Sequence, residues 1–215
     1  MTRALVLRPE PGNARTCAAL AAAGIAPVAV PLFEAVPLAW SPPDPVAYDA
    51  LLLTSAQAVR LAGDGLARLA GLPVIAVGGA TADVARAAGL DVAIVGNGDA
   101  AAAVARAGAF PRLLHLAGRE HVAQPGVATI TVYASEPLPV PSDALAAAID
   151  GVAMLHSARA AARFALLTND LPRGRVRIAA LSPAIAAAAG SGWACVIVAG
   201  QPNDRALIDA IAAPD

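Results

Sequence analysis

Short leucine-rich or β-branched runs recur along this chain with helix-spaced stretches between them, and this alternation limits the fold more than any other feature. The runs are ALVLR (residues 4–8), PVAV (27–30), ALLL (50–53), VIAV (74–77), VAIV (92–95), LLHL (113–116), RIAAL (177–181) and CVIV (195–198). Runs apolar at successive positions are buried on both faces. That burial needs helices on each side of a parallel sheet, so the expected class is α/β with crossover helices.

Local signals mark the helices. One begins after the first strand, capped by Asn13, with Cys17, Leu20 and Ala21 on one face and Gly24 as its stop. Another opens near Ser55, a third carries Ala80, Val84 and Ala88 on one face up to Gly89, and a fourth is capped by Asp99. The uncharged stretch 178–203 is long enough to span a bilayer, and the mean hydropathy is +0.63. Ser182-Pro183 and Gly190-Ser191-Gly192 cut it into strand, helix and strand, so buried α/β units are expected and no membrane span. Only residues 4–7 form an apolar run near the N-terminus, too short for a signal peptide.

At 215 residues the chain can make one large or two small domains. A net charge of −1 gives no field for nucleic acid. All 15 basic side chains are arginines, which excludes lysine Schiff-base chemistry and a P-loop ending in Gly-Lys. Cys17 and Cys195 are isolated, as expected of thiols in a reducing cytoplasm. Histidines 115, 121 and 156 lack metal-ligand spacing, so no metal site is expected.

The second half repeats the first. LLTSAQAV (52–59) matches MLHSARAA (154–161), placing Ser55 and Ser157 alike after a strand and at a helix start. AVGGATADVARAAG (76–89) parallels ALSPAIAAAAGSG (180–192), and GLDVAIV parallels GWACVIV, all at nearly constant offset. The aligned serines, glycines and strands, more than the alanines, argue for an internal duplication.

Several marks then fall in a familiar order. They are Arg8-Pro9, Pro31-Leu32-Phe33-Glu34, Thr54-Ser55 with Ala58-Val59, Ala76-Val77-Gly78 with Thr81-Ala82, Val132-Tyr133, Ser157, and Val198-Ala199 with Pro202 and Leu207. In this order and spacing the chain resembles the uroporphyrinogen-III synthase family over nearly its whole length. The resemblance implies two flavodoxin-like α/β lobes with parallel sheets, joined by a two-stranded antiparallel connector. Residues 1–33 with 142–215 would form lobe one, 44–127 lobe two, and 34–43 and 128–141 the connecting strands.

It also implies a cofactor-free cyclisation of hydroxymethylbilane, a linear tetrapyrrole with eight carboxylates, to uroporphyrinogen III. Water is lost and the last pyrrole ring is inverted through a spiro intermediate. A monomer in the cytoplasm is expected, with no nucleic-acid or membrane partner. Since the net charge cannot hold such a polyanion, local donors at strand-to-helix turns are expected to bind it. The substrate-binding candidates are Arg8, Thr54, Ser55, Gly78, Thr81, Gly118, Arg119, His156, Ser157 and Ser182. Each has a plainer reading: Ser or Thr as an N-cap, Arg as a solvated surface charge.

Tyr133 is the catalytic candidate. A phenol keeps its proton at neutral pH, so it can donate to the departing substrate hydroxyl or position a water. Its plainer reading is a half-buried strand tyrosine. Two departures from the family pattern stand out: ALSPAIA (180–186) lacks the usual threonine hydroxyls, and only residues 117–127 separate LLHL from ATITVY, which predicts a trimmed, irregular crossover. The competing function is a non-catalytic two-lobed module that binds an anionic ligand. A nucleotide enzyme fits less well, since Gly78-Gly79 makes no GxGxxG.

Overall fold

The computed structural model describes residues 2–213; Met1, Pro214 and Asp215, assigned to lobe one from the sequence, lie outside the described residues. Contacts divide the chain into two compact units, Met1–Glu34 with Pro137–Asp215 and Ala35–Glu136.

In the first unit, strands β1 (Arg3–Val6), β2 (Ala26–Ala29), β9 (Val152–Leu155), β10 (Arg177–Ala180) and β11 (Cys195–Val198) form a sheet in the order β11-β10-β9-β1-β2. All its pairings are parallel. Successive side chains in a strand alternate between faces, and the core divides accordingly. Leu5, Leu7, Ala153 and Leu155 pack with Phe164 of α6 (Ala158–Leu167), Leu145 of α5 (Ser142–Ala146) and Ala186 of α7 (Pro183–Ala188). Ala4, Val6, Val152 and Met154 pack on the opposite face with Leu20 of α1 (Gly12–Ala22) and Leu207, Ile208 and Ile211 of α8 (Asp204–Ala212).

In the second unit, β4 (Ala50–Leu53), β5 (Val74–Ala76), β6 (Val92–Val95), β7 (Leu113–Gly118) and β8 (Ala128–Pro137) are mutually parallel. With β3 (Phe33–Pro37) at the edge the order is β3-β8-β7-β4-β5-β6. Leu51, Leu53, Leu114 and Leu116 face α2 (Ala56–Leu61) and α3 (Gly79–Ala87), while Ala50, Leu52 and Leu113 face α4 (Ala100–Arg106). Leu51, Leu52 and Leu53 are fully buried; each such side chain contributes about 2 kcal/mol by leaving water. Leu38 N donates to Val132 O and Leu138 N to Leu32 O, both at 3.0 Å. One index rises as the other falls, as antiparallel strands require.

The flavodoxin-like description needs correction. Numbered by their entry, the five parallel strands β4 to β8 run 3-2-1-4-5, whereas a flavodoxin runs 2-1-3-4-5. Here β5 and β6 both add on one side of β4 before the chain returns to the other side with β7. Periodicity reveals strands but not their neighbours.

Three helix details also differ from the sequence reading. Asn13 is no N-cap: it is buried within α1, donating from Nδ2 to Val6 O at 2.7 Å and Arg8 O at 3.0 Å. The buried face of α1 is Gly12, Asn13, Thr16 and Leu20, leaving Ala21 exposed. That of α3 is Thr81, Ala82 and Ala85, leaving Ala80 and Ala88 exposed. Alanine alone does not tell a core face from a solvent face, so helix phase was hard to read from such sequence. Gly24 does follow α1 with φ +75°, the left-handed turn that ends a helix.

Candidate functional sites at the strand ends

Ligands of open parallel sheets bind beyond the strand C-termini where the strand order reverses. In the second unit that point lies between β4 and β7, and in the first between β9 and β1. Thr54 and Ser55 follow β4, and Gly118 and Arg119 stand at the end of β7. His156 and Ser157 follow β9, and Arg8 follows β1. The sequence candidates thus gather at two reversal points, one in each unit, with Gly78 and Ser182 at the ends of the adjacent strands β5 and β10.

The three serines act as N-caps. Ser55 Oγ accepts from Gln57 N at 3.1 Å, Ser157 Oγ from Ala160 N at 3.2 Å, and Ser182 Oγ from Ile185 N at 3.4 Å. A hydroxyl that accepts from a helix can still donate once. Gly78 precedes α3 in extended conformation, with no described heavy atom within 4 Å of where a Cβ would stand, so the approach to the helix N-terminus is open there. Thr81 is packed into the first turn of α3.

In the second unit Tyr133 owes its direction to a bulge. The β7–β8 register runs Ala117↔Thr131 and then Gly118↔Tyr133, which leaves Val132 as the extra residue. Such an insertion re-aims the following side chain. Tyr133 therefore joins Val132 against the core face of Leu114 and Leu116. Its ring lies over Gly118, where a Cβ would stand 2.6 Å from Tyr133 Cζ and 2.8 Å from Oη. The missing side chain is what makes room for the phenol. Arg119 N donates to Tyr133 O at 2.9 Å, and Arg119 Nη1 pairs with Glu136 Oε1 at 2.6 Å. On the opposite face, Thr54 Oγ1 lies 2.9 Å from His115 Nε2. Burial, then the neighbouring charge of His121, pushes His115 down to about 4.

In the first unit the strand ends carry a charge cluster. Arg8 Nη1 reaches Asp204 Oδ1 at 3.0 Å and Oδ2 at 3.1 Å, Thr16 Oγ1 donates to Oδ2 at 2.5 Å, and His156 Nε2 lies 3.1 Å from Oδ1. Burial works to raise the Asp204 pKa. Hydrogen bonds from His156 and Thr16, with the charges of His156 and Arg8, outweigh it and bring Asp204 to about 2. Arg8 is therefore not a free surface charge. Gly12 lets it lie close: a Cβ there would stand 2.8 Å from Arg8 Cζ.

Sequence reasoning missed Asp204, Thr16 and Glu136, and found no role for His115. His115 did carry a signal, because a polar side chain within the buried run LLHLAG needs a partner. Asp204 carried none, being 196 positions from Arg8.

These features define a doubly wound α/β protein with polar side chains gathered beyond each reversal of strand order. The family model for uroporphyrinogen-III synthase HemD matches residues 14–209, and the chain belongs to the uroporphyrinogen-III synthase family, enzymes that act as cyclising lyases in porphyrin biosynthesis. Among solved structures, uroporphyrinogen-III synthetase from Helicobacter pylori aligns with TM-score 0.70 at 16% identity, covering 97% of this chain and 96% of its own. A mutant uroporphyrinogen III synthase from the extremely thermophilic bacterium Thermus thermophilus aligns with TM-score 0.51 at 16% identity, covering 96% of each chain. At that identity both likenesses concern the mixed α/β fold. No curated protein sequence matches the chain significantly. Among the described residues no helix is long and apolar enough to cross a membrane.

Proposed function

We propose that this chain cyclises hydroxymethylbilane to uroporphyrinogen III, with the strand-end donors of each unit as the candidates for binding substrate carboxylates. The family match over residues 14–209 carries the reaction and does not favour a non-catalytic binding module. The gathering of the candidate residues at the reversal points supports the site. In the second unit the donors are Thr54, Ser55, the open N-terminus of α3 at Gly78, and the turn held by Thr81. In the first they are His156, Ser157 and Ser182. Arg8 and Arg119 bind substrate by exchanging their present carboxylates, Asp204 and Glu136, for substrate ones.

Tyr133 is the proton donor to the departing hydroxyl, which leaves as water once it has received the phenolic proton. Gly118 and the β8 bulge aim it. Because the linear substrate also closes spontaneously without inversion, holding it curled is as much a part of catalysis as proton transfer. The two units act as the lobes of a duplicated protein. In support, β6-β5-β4-β7-β8 and β11-β10-β9-β1-β2 have the same layout, with β4, β5 and β6 answering to β9, β10 and β11. Residues 34–43 and 128–141 serve as the connecting strands, and the enzyme works as a cytoplasmic monomer, since the reaction requires no second copy.

The test is to incubate the protein with freshly generated hydroxymethylbilane and resolve the isomers. The type III product is expected above the spontaneous type I background, and type I alone would overturn the assignment.

A further inference from the structure

His115 is 1% exposed in an otherwise apolar strand, and its Nδ1 is buried without a described hydrogen-bond partner. Buried polar atoms are nearly always satisfied, so this one needs a reason. The neutral imidazole carries one N–H, on either Nδ1 or Nε2. Were it on Nδ1, a buried N–H would be orphaned, which is rarer in proteins than an orphaned acceptor. On Nε2 it points at Thr54 Oγ1, 2.9 Å away. The neighbouring ring does not change this. His121 Nδ1 lies 2.9 Å from the Gly118 carbonyl, to which it donates, and His121 stands edge-on to His115 with centroids 5.7 Å apart.

A threonine hydroxyl is ambivalent, able to donate or to accept. Once its oxygen accepts from a fixed imidazole N–H, its own hydrogen must turn away from the ring. Beyond the end of β4 that hydrogen suits an anionic oxygen, whereas a lone pair there would repel one. We infer that His115 is a positioning residue that donates from Nε2 to Thr54 Oγ1 and so fixes the Thr54 hydroxyl as a hydrogen-bond donor toward a substrate carboxylate. The inference rests on the reading that Thr54 touches the tetrapyrrole. It adds a requirement for one tautomer of a residue that itself touches no substrate.

Two measurements test it. The sequence has three histidines, so long-range 1H–15N spectra at pH 7, with His115 identified by its loss in His115→Gln, read its tautomer directly. A neutral ring protonated on Nε2 is expected; protonation on Nδ1 overturns the inference. In steady-state kinetics Thr54→Val raises KM roughly tenfold, as loss of a hydrogen bond to a charged group implies, with much less change in kcat. His115→Leu does the same, and the double variant is no worse than Thr54→Val alone. His115→Gln, whose amide N–H replaces Nε2–H, keeps KM within about threefold of wild type. If Thr54→Val leaves KM unchanged, the substrate-contact reading fails and the inference with it. If Thr54→Val raises KM and His115→Leu does not, the inference alone fails. Should His115→Leu fold poorly, the spectra and the Gln variant decide.

Discussion

At the ends of β9 and β1 stand a guanidinium, a carboxylate, an imidazole and a threonine hydroxyl, each within 2.5 to 3.4 Å of another. At the corresponding ends of β4 and β7 stand a threonine on a neutral histidine and a tyrosine over a glycine, with Arg119 turned to Glu136. The layout of strands is the same and the chemistry is not. The first unit gathers a guanidinium, an imidazole and a hydroxyl on one carboxylate at its reversal point, while the second sets its Arg119–Glu136 pair beside neutral hydroxyls. A chain of net charge −1 can receive a polycarboxylate on such terms, because hydrogen bonds from preoriented donors act locally and need no long-range field.

Acid should separate the two units most strongly. The His115 pKa in the fold lies near 4, below its ordinary 6.5, so the stability it confers is present above pH 6.5 and lost as pH falls toward 4. Asp204, near 2 instead of 3.8, confers stability present above pH 4 and lost only as pH falls toward 2. The two tryptophans report separately, Trp40 in the second unit and Trp193 in the first. A Trp193→Phe protein, followed by Trp40 fluorescence, should unfold at higher pH than a Trp40→Phe protein followed by Trp193. Coincident transitions would contradict the contrast.

Next in size is Asp204→Ala, which leaves Arg8, His156 and Thr16 without their common acceptor. Breaking a fully buried pair costs about 3–5 kcal/mol. With Arg8 and Asp204 29% and 28% exposed, water screens part of this and about 2 kcal/mol is expected, read as a melting temperature lower by roughly 4–8 °C. An unchanged melting temperature would mean that the cluster contributes no stability. Gly118→Ala is expected to cost about 1–2 kcal/mol by overpacking against Tyr133 and to lower turnover by displacing the phenol, whereas wild-type turnover would mean the ring position is not critical. Smallest are the caps: Ser157→Ala should cost about 1 kcal/mol and Ser182→Ala, with its longer 3.4 Å bond, less. A raised KM in either variant would add substrate contact to the capping role.

Much of this was legible in the sequence because it is local. The strands announced themselves as apolar runs, Ser55, Ser157, Ser182 and Asp99 as caps, and Gly24 as a stop. Each depends on neighbours a few residues away. The strand order, the Arg8–Asp204 pair and the grip of Asn13 on Val6 O and Arg8 O depend on which segments meet, and no periodicity encodes that. The β8 bulge was hidden for another reason: one unmatched residue, Val132, leaves the pattern of ATITVY intact yet turns Tyr133 to the other face.

The proposed reaction turns most directly on Tyr133, so the decisive measurement is turnover of hydroxymethylbilane by Tyr133→Phe alongside its melting temperature. The phenyl ring keeps its packing over Gly118 and loses only the proton donor. Markedly lower formation of the type III isomer at nearly unchanged melting temperature is predicted, and wild-type turnover would remove Tyr133 from the mechanism.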